Sequence, residues 1–476
     1  MRIVHLPLDS RPCNVLFPGQ LAAFAGHECV IPPAADMDDF TTPAPFERTA
    51  DFLLRETGDA LVVSVDHLCY GSLLGSRNDE VCEEDALKRL ELLKEFRQRY
   101  AKVYAYSVVM RSSISALYAS DLTAYRAMTE YSVYSDRAAR TGDPEDMRRA
   151  QEAKSLIPEK TLTRYQLARR RNHAVNLRCV QLAAAGVIDA LALLQEDSEL
   201  YGFHKAEQRA LLAEKDRLGA ANVWLHNGAD EGGALAVMKA IADGKPLPPV
   251  DVVYLGWSGG DFVACYEDRP FYENVDDSLS YAGLKKESGA LDVLAVCCPP
   301  DGRQTDWENP DCLDGYRRQA AEIVRMAQTG RHVYLLDETR ANGGSPALMK
   351  AVHALAPNLP LCGYSAWNTA SNALGTAIAQ IISDQLAGHA NRAFFWERML
   401  DDLAYQGAVR ADLNAALEAG GEDPLHLRDP QAAQVQLVSR MQAYTQSEPM
   451  FTAVPPFAAT LPWNRTFEAQ FLATKE

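Results

Sequence analysis

Short apolar runs recur along the chain, and stretches with helical spacing separate them. The runs cover residues 3–8, 28–31, 61–65, 103–109, 190–194, 222–225, 252–255, 293–297, 332–336 and 361–364. Most are apolar at consecutive positions. Strands of that kind belong in a sheet covered on both faces, and their alternation with helices makes the sheet parallel. One intervening helix is plain: residues 84–100 carry Leu87, Leu90, Leu92, Leu93 and Phe96 at helical spacing, with charges elsewhere. The fold class is therefore α/β, built of parallel β/α units. Such units suit a β/α barrel with extra strands, or two doubly wound Rossmann-like halves. The barrel is the preferred reading, because polar loops follow so many different strands.

Two segments break this rhythm. Residues 112–171 form an insertion rich in Arg, Tyr and Ala, expected to be helical and to act as a lid or as outer scaffold. Beyond residue 387 no convincing strand is legible. Residues to about 445 read as helical, and the proline-punctuated stretch 449–463 is expected to pack back on the body. The expected organisation is an α/β catalytic domain over 1–387 and a mostly helical extension over 388–476.

Composition narrows the partners. Of the 476 residues, 47% are hydrophobic and 23% charged, ordinary values for a chain that buries a core. Lys+Arg 47 against Asp+Glu 64 gives −17, which disfavours nucleic acid and anionic membranes, since both need a basic face. The first residues lack the apolar core of a signal peptide, and no run of about 18 apolar residues exists to span a bilayer. A cytoplasmic location is expected. The ten cysteines include no CxxC pair, and Cys297 and Cys298, adjacent in an apolar run, are expected to be buried thiols. His67, His173, His204 and His226 show no HxH or HExxH spacing, so no zinc site is expected.

The chemistry should lie where strands end, because ligands of parallel α/β folds bind at the carboxyl ends of strands. Polar bursts stand there repeatedly: Asp9 with Arg11, Asp66 with Tyr70, Arg111, Glu196-Asp197, Asn227 with Asp230-Glu231, Asp337 with Asn342, and Trp367-Asn368 with Asn372. Any one of them serves equally as a helix N-cap. Together they exceed what capping requires. The sharpest is residues 191–201, where an apolar strand runs into Gln195, Glu196 and Asp197. Adjacent carboxylates repel, which splits their pKa values into an acid and a base, as glycosidic cleavage needs. The alternative makes Asp197 or Ser198 the cap of a following helix. Asp230-Glu231 follows the turn Asn227-Gly228 and opens a helix, so it reads equally as site or cap. Asn368 and Asn372, four apart, share a face if the helix has begun, and Trp367 beside them suits a sugar ring. The arginine-dense stretch 165–172 contains three consecutive Arg that cannot all face one way, while Arg171 and Asn172 are candidates to reach the pocket. No Walker or GxGxxG signature is present.

PLDSRP near the start, SVDHLCYGSLLGSR, YxxxRxRN, the QED strand end, GADE, ANGG and WNTASNALGTA, taken in order, resemble the bacterial family classed as domain of unknown function 4127. The resemblance covers nearly the whole chain and implies no activity. The sequence departs from the family pattern by carrying Gln195-Glu196-Asp197 where an Asp-Asp pair is usual. The layout is also similar to that of O-GlcNAcase-type glycoside hydrolases. That likeness implies a barrel and a carboxylate pair in which one member orients an acetamido group and the other is general acid/base.

The functional expectation is a glycoside hydrolase acting on a small intracellular sugar or glycoconjugate, an N-acetylhexosaminide in the first instance. Asp197 would be general acid/base and Glu196 its partner, with Asp230 and Glu231 as a second catalytic pair. Asp9, Arg11, Asp66, Tyr70, Arg111, Asn172, Asn227, Asp337, Asn342, Trp367, Asn368 and Asn372 would bind substrate. No cofactor is expected. Two rivals stand beside this: a metal-dependent hydrolase holding a divalent cation on Asp9, Asp66 and Asp337, and a non-catalytic small-molecule binding protein.

Overall fold

The computed structural model describes residues 1–114 and 122–473. Residues 115–121 of the expected helical insertion and 474–476 of the expected extension lie outside the described residues. The chain divides into two compact units, the first made of Met1–Ser10, His27–Ile241 and Tyr266–Arg269, the second of Arg11–Gly26, Ala242–Cys265 and Pro270–Glu476. The boundary expected after residue 387 falls inside the second unit.

The first unit contains β1 (Arg2–Leu6), β2 (Glu28–Val30), β3 (Ala60–Ser64), β4 (Lys102–Val109), β5 (Ala190–Gln195) and β6 (Val223–Asn227). They form one sheet in the order β2-β1-β3-β4-β5-β6, and every pairing is parallel. Val4, Leu61, Val63, Val103, Ala105, Leu191 and Leu193 pack on one face with Leu90, Leu93, Phe96 and Leu182. Ile3, Val62, Tyr104, Tyr106 and Leu194, which alternate with them, are buried as well. Burial on both sides is why these strands read as continuous apolar runs. Three helices, Leu122–Thr141, Pro144–Ser155 and Glu159–Ala184, lie between β4 and β5. On the last of them Arg169 and Arg171 are buried, whereas the Arg170 side chain is 72% exposed, as three consecutive arginines on one helix require.

The strand order reverses at β1, with β2 to one side and β3 to β6 to the other.

The second unit contains β7 (Val250–Leu255), β8 (Asp292–Cys297), β9 (His332–Asp337) and β10 (Gly363–Ser365), a parallel sheet in sequential order. Its core joins Val293, Ala295, Val333 and Leu335 to Ile323, Leu348, Met399, Leu403 and Leu437. Cys297 and Cys298 are buried thiols, and none of the ten cysteines is in a disulfide. A stretch of π-helix, Met399–Val409, follows the helix Arg392–Arg398.

Parallel β/α units are what the sequence predicts. Their closure into a barrel is not observed: the two sheets are open, edged by β2 and β6 and by β7 and β10, and of the two doubly wound halves expected as the alternative only the first shows a reversal of strand order. Closure depends on which strands pair across the ends, and no local pattern carries that information. A second correction concerns the region after residue 387. Here β11 (Phe457–Thr460) and β12 (Gln470–Ala473) form an antiparallel hairpin. No described helix is long and apolar enough to cross a membrane.

Candidate active site

In the first unit the polar residues converge where the apolar pattern stops, at the carboxyl ends of β1, β3, β4, β5 and β6. Asp9 follows β1 and is fully buried. Asp66 follows β3, accepts the Val108 N–H at 2.8 Å, and lies near Arg171. Burial pushes its carboxyl up to about 7, against the opposing pull of Val108, Ser76 and Arg171. His67 bonds the Pro7 carbonyl through Nδ1 at 2.8 Å, and burial depresses its ring to about 4, so it stays neutral near pH 7.

At the end of β5, Glu196 is held by two arginines. Arg77 forms a buried ion pair with it, with side-chain exposures of 10% and 5%. Arg111 offers its backbone N–H at 3.3 Å and its guanidinium at 3.7 Å, and also pairs with Asp197. The arginines are themselves fixed. Arg169 donates to the carbonyls of Met110 and Arg111 at 2.9 and 2.8 Å and pairs with Glu207. Arg171 donates to the carbonyls of Ser76 and Val81, and Asn172 to that of Ser76 at 2.8 Å, which braces the loop carrying Arg77. Asn172 thus braces the loop that carries Arg77. Tyr70 is buried too, its ring 4.1 Å from the Arg171 guanidinium carbon.

At the end of β6, Glu231 has a different environment. Its Oε2 accepts the Ala229 N–H at 2.9 Å, and its Oε1 is buried without a partner among the described residues. Burial pushes its carboxyl up to about 8, partly opposed by the N–H groups of residues 231 and 229 and reinforced by the nearby charges of Asp230 and Glu267. Asp230 and Asn227 are likewise buried. Strands β5 and β6 are direct neighbours, with Gln195 opposite Asn227 and the Gly228 N–H bonded to the Gln195 carbonyl at 2.9 Å. An arginine-paired carboxylate thus follows one strand, and a carboxyl whose burial favours its protonated form follows the neighbouring strand.

Several expectations change at this point. Asp197 and Ser198 cap no helix, because the helix that follows starts at Phe203. Glu231 stands immediately before the helix Gly232–Ala242, yet its carboxyl folds back onto the N–H of Ala229. Arg77 and Glu267 were not singled out from the sequence. Arg77 lies inside the GSLLGSR motif, and its role as a partner of Glu196 is visible only in three dimensions.

The remaining expected residues belong to the second unit. Asp337 ends β9 and accepts four bonds, from Tyr364 Oη at 3.0 Å, Ser345 N at 2.8 Å, Thr339 N at 3.2 Å and Thr339 Oγ1 at 2.6 Å, which describes a structural carboxylate. Asn342 donates to Asp306 at 2.9 Å, and its own N–H bonds the Asn368 carbonyl. Asn368 has φ +67°, and the helix begins only at Ala370, so Asn368 and Asn372 do not share a helix face as expected. Trp367 is 8% exposed and, with its neighbour Ala366, donates a backbone N–H to Asp402, which in turn pairs with Arg398. Arg11 lies 5.4 Å from the centroid of the Trp463 ring. The cation triad Asp9, Asp66 and Asp337 finds no support: among the described residues no group of three His, Cys, Asp or Glu is placed to hold a metal.

The family described as "Protein of unknown function (DUF4127)" matches residues 3–472. The chain belongs to the DUF4127 family. No curated protein matches it, and no solved structure does. The likeness to O-GlcNAcase-type hydrolases therefore has no counterpart among relatives, and the open sheets remove the barrel that it implied. For this DUF4127 member, functional inference rests on the site itself.

Proposed function

We propose that this DUF4127 protein is a glycoside hydrolase of small sugars or glycoconjugates, with N-acetylhexosaminides the first class to test. The reading is carried by one observation: beyond adjacent strands, Glu231 is buried with no cation paired to it among the described residues, which pushes its carboxyl up to about 8, while Glu196 is ion-paired with Arg77. Two carboxyl groups whose surroundings drive them apart in this way are the working parts of glycosidic cleavage. Glu231 protonates the glycosidic oxygen as its bond to C1 breaks. Glu196 stabilises the positive charge growing at C1, and water adds to C1, giving its proton to the Glu231 carboxylate that the first transfer left. Asp197, tied to Arg111, orients rather than donates, since a donor there would have to leave its ion pair. Asp230 and Asn227 supply hydrogen bonds to sugar hydroxyls. Ten thiols without a disulfide suit a reducing cytoplasm, and a charge of −17 argues against nucleic acid as a partner.

The test is a panel of nitrophenyl glycosides, assayed with and without chelator. Turnover that survives chelation and collapses in Glu231→Gln supports the reading. Turnover abolished by chelation indicates the metal-dependent alternative, and saturable sugar binding without turnover indicates a binding protein.

A further inference from the structure

Beyond the proposed hydrolysis, we propose that the second unit binds a single-chain aliphatic carboxylate in a pocket governed by Arg392. A cavity of about 740 Å³ lies among the helix Pro346–Leu355, the segment leading into β10, the helix Arg392–Arg398 and residues 449–453. That volume falls within the range of small-molecule sites, about 300–1,000 Å³. Its walls are mostly apolar, and three of them are methionines, Met349, Met399 and Met450. Unbranched thioether side chains adapt to a flexible ligand better than branched ones do.

Charge selects the occupant. Among the described residues no Asp or Glu lines this cavity, in a chain of net charge −17. Its one permanently charged wall residue is Arg392. The guanidinium carbon sits 4.1 Å from the Phe395 ring centroid and 6.0 Å from that of Trp396, and Nη1 donates to the Leu361 carbonyl. Among the described residues Arg392 makes no salt bridge; Asp384 acts on it electrostatically from outside the cavity wall, and Nη1 alone of its fork donates a hydrogen bond. Stacking on two rings holds the fork in place, and a planar fork matches a carboxylate through two parallel bonds. A large apolar body ending in one carboxylate satisfies both features. A cationic amphiphile would meet Arg392 as a like charge, and a polyol would leave its hydroxyls against methionine and aromatic walls.

Calorimetric titration of the full chain with dodecanoate and with dodecanol, each below its aggregation concentration, tests this. Dodecanoate is expected to bind at one site, about 3- to 5-fold more tightly than dodecanol, the scale of an ion pair open to solvent. Arg392→Gln should erase that preference and leave dodecanol binding unchanged. The comparison of the two ligands on the unaltered protein stands even if the variant folds poorly. Absence of saturable dodecanoate binding, equal affinity for the two ligands, or a preference that persists in Arg392→Gln would each overturn the proposal. So would association with phosphatidylglycerol vesicles that dodecanoate fails to displace, since that marks a lipid surface instead of a pocket for one molecule.

Discussion

The carboxyl of Glu231 fills the space in which a side chain at Gly228 would lie. Gly228 also has φ +129°, a backbone conformation that other residues adopt only under strain. The absence of a Cβ thus lets the chain turn back after β6 and lets Glu231 sit buried beneath that turn. Gly228→Ala should lose about 1–3 kcal/mol from backbone strain alone, with a further cost as the carboxyl is displaced. Denaturant unfolding measures the loss, and a variant as stable as the parent would contradict the geometry.

Burial of Glu231 makes stability depend on pH in a defined direction. Burial pushes its carboxyl up to about 8 in the folded chain, against an ordinary value of 4.5. Between those values the folded state keeps a proton that the unfolded state releases, so this contribution is complete below about 4.5 and is lost as pH rises through 8. Glu231→Gln keeps the shape and removes the proton. Its stability relative to the parent should therefore rise between pH 5 and pH 8, by roughly 2–4 kcal/mol at about 1.4 kcal/mol per unit. Asp66 and Asp401, each pushed up to about 7 by burial, add the same trend to both proteins and cancel in the comparison. Unfolding curves that stay parallel across this range would remove the buried acid from the account.

Arg77 and Glu196 are coupled, and the coupling is measurable. Both side chains are nearly out of solvent, so removing one partner strands the other's charge. Arg77→Met should cost about 3–5 kcal/mol. The double variant Arg77→Met/Glu196→Gln should cost less than the sum of the two single changes, because no stranded carboxylate remains. Simple additivity in the four-membered cycle would mean that the pair contributes nothing.

How much of this was legible in the sequence follows from burial. The ten strands of the two parallel sheets were visible, since residues such as Val62 and Val63 are buried on opposite faces and the run stays apolar. The hairpin β11–β12 was not. It buries only alternate positions of two four-residue strands, leaving Ala458 and Leu472 exposed, and that pattern is too short to stand out. The helix expected over 84–100 is present as two, Glu83–Leu90 and Leu92–Arg99. Barrel and open sheets share the same local alternation, and only the pairing between strands distinguishes them. The site shows the same division. Carboxylates at strand ends could be read directly, but their roles are set by partners distant in sequence. Arg77 is 119 residues from Glu196, and Arg111 is 86 residues from Asp197. Asp197 looked like the acid because it stands beside another carboxylate. In the proposed reading Arg111 ties Asp197 down, and the buried Glu231 takes that part instead.

This reassignment makes opposite kinetic predictions for two conservative variants. A proton donor matters most when the departing oxygen is basic, so its loss falls hardest on alkyl glycosides and least on dinitrophenyl ones. With Glu231 as donor, Glu231→Gln should lower kcat about 10²–10⁴-fold for poor leaving groups and much less for activated ones. Asp197→Asn should act differently. Asparagine still accepts a bond from Arg111 but no longer balances its charge, so the expected loss is modest and similar across leaving groups, and it should appear in KM as much as in kcat. Glu196→Gln should depress all substrates together, because charge at C1 develops whatever group departs. Measuring kcat for each variant against leaving-group basicity gives three slopes. A steep slope for Asp197→Asn with a flat one for Glu231→Gln would return the acid to β5 and leave the buried carboxyl of β6 as a structural group.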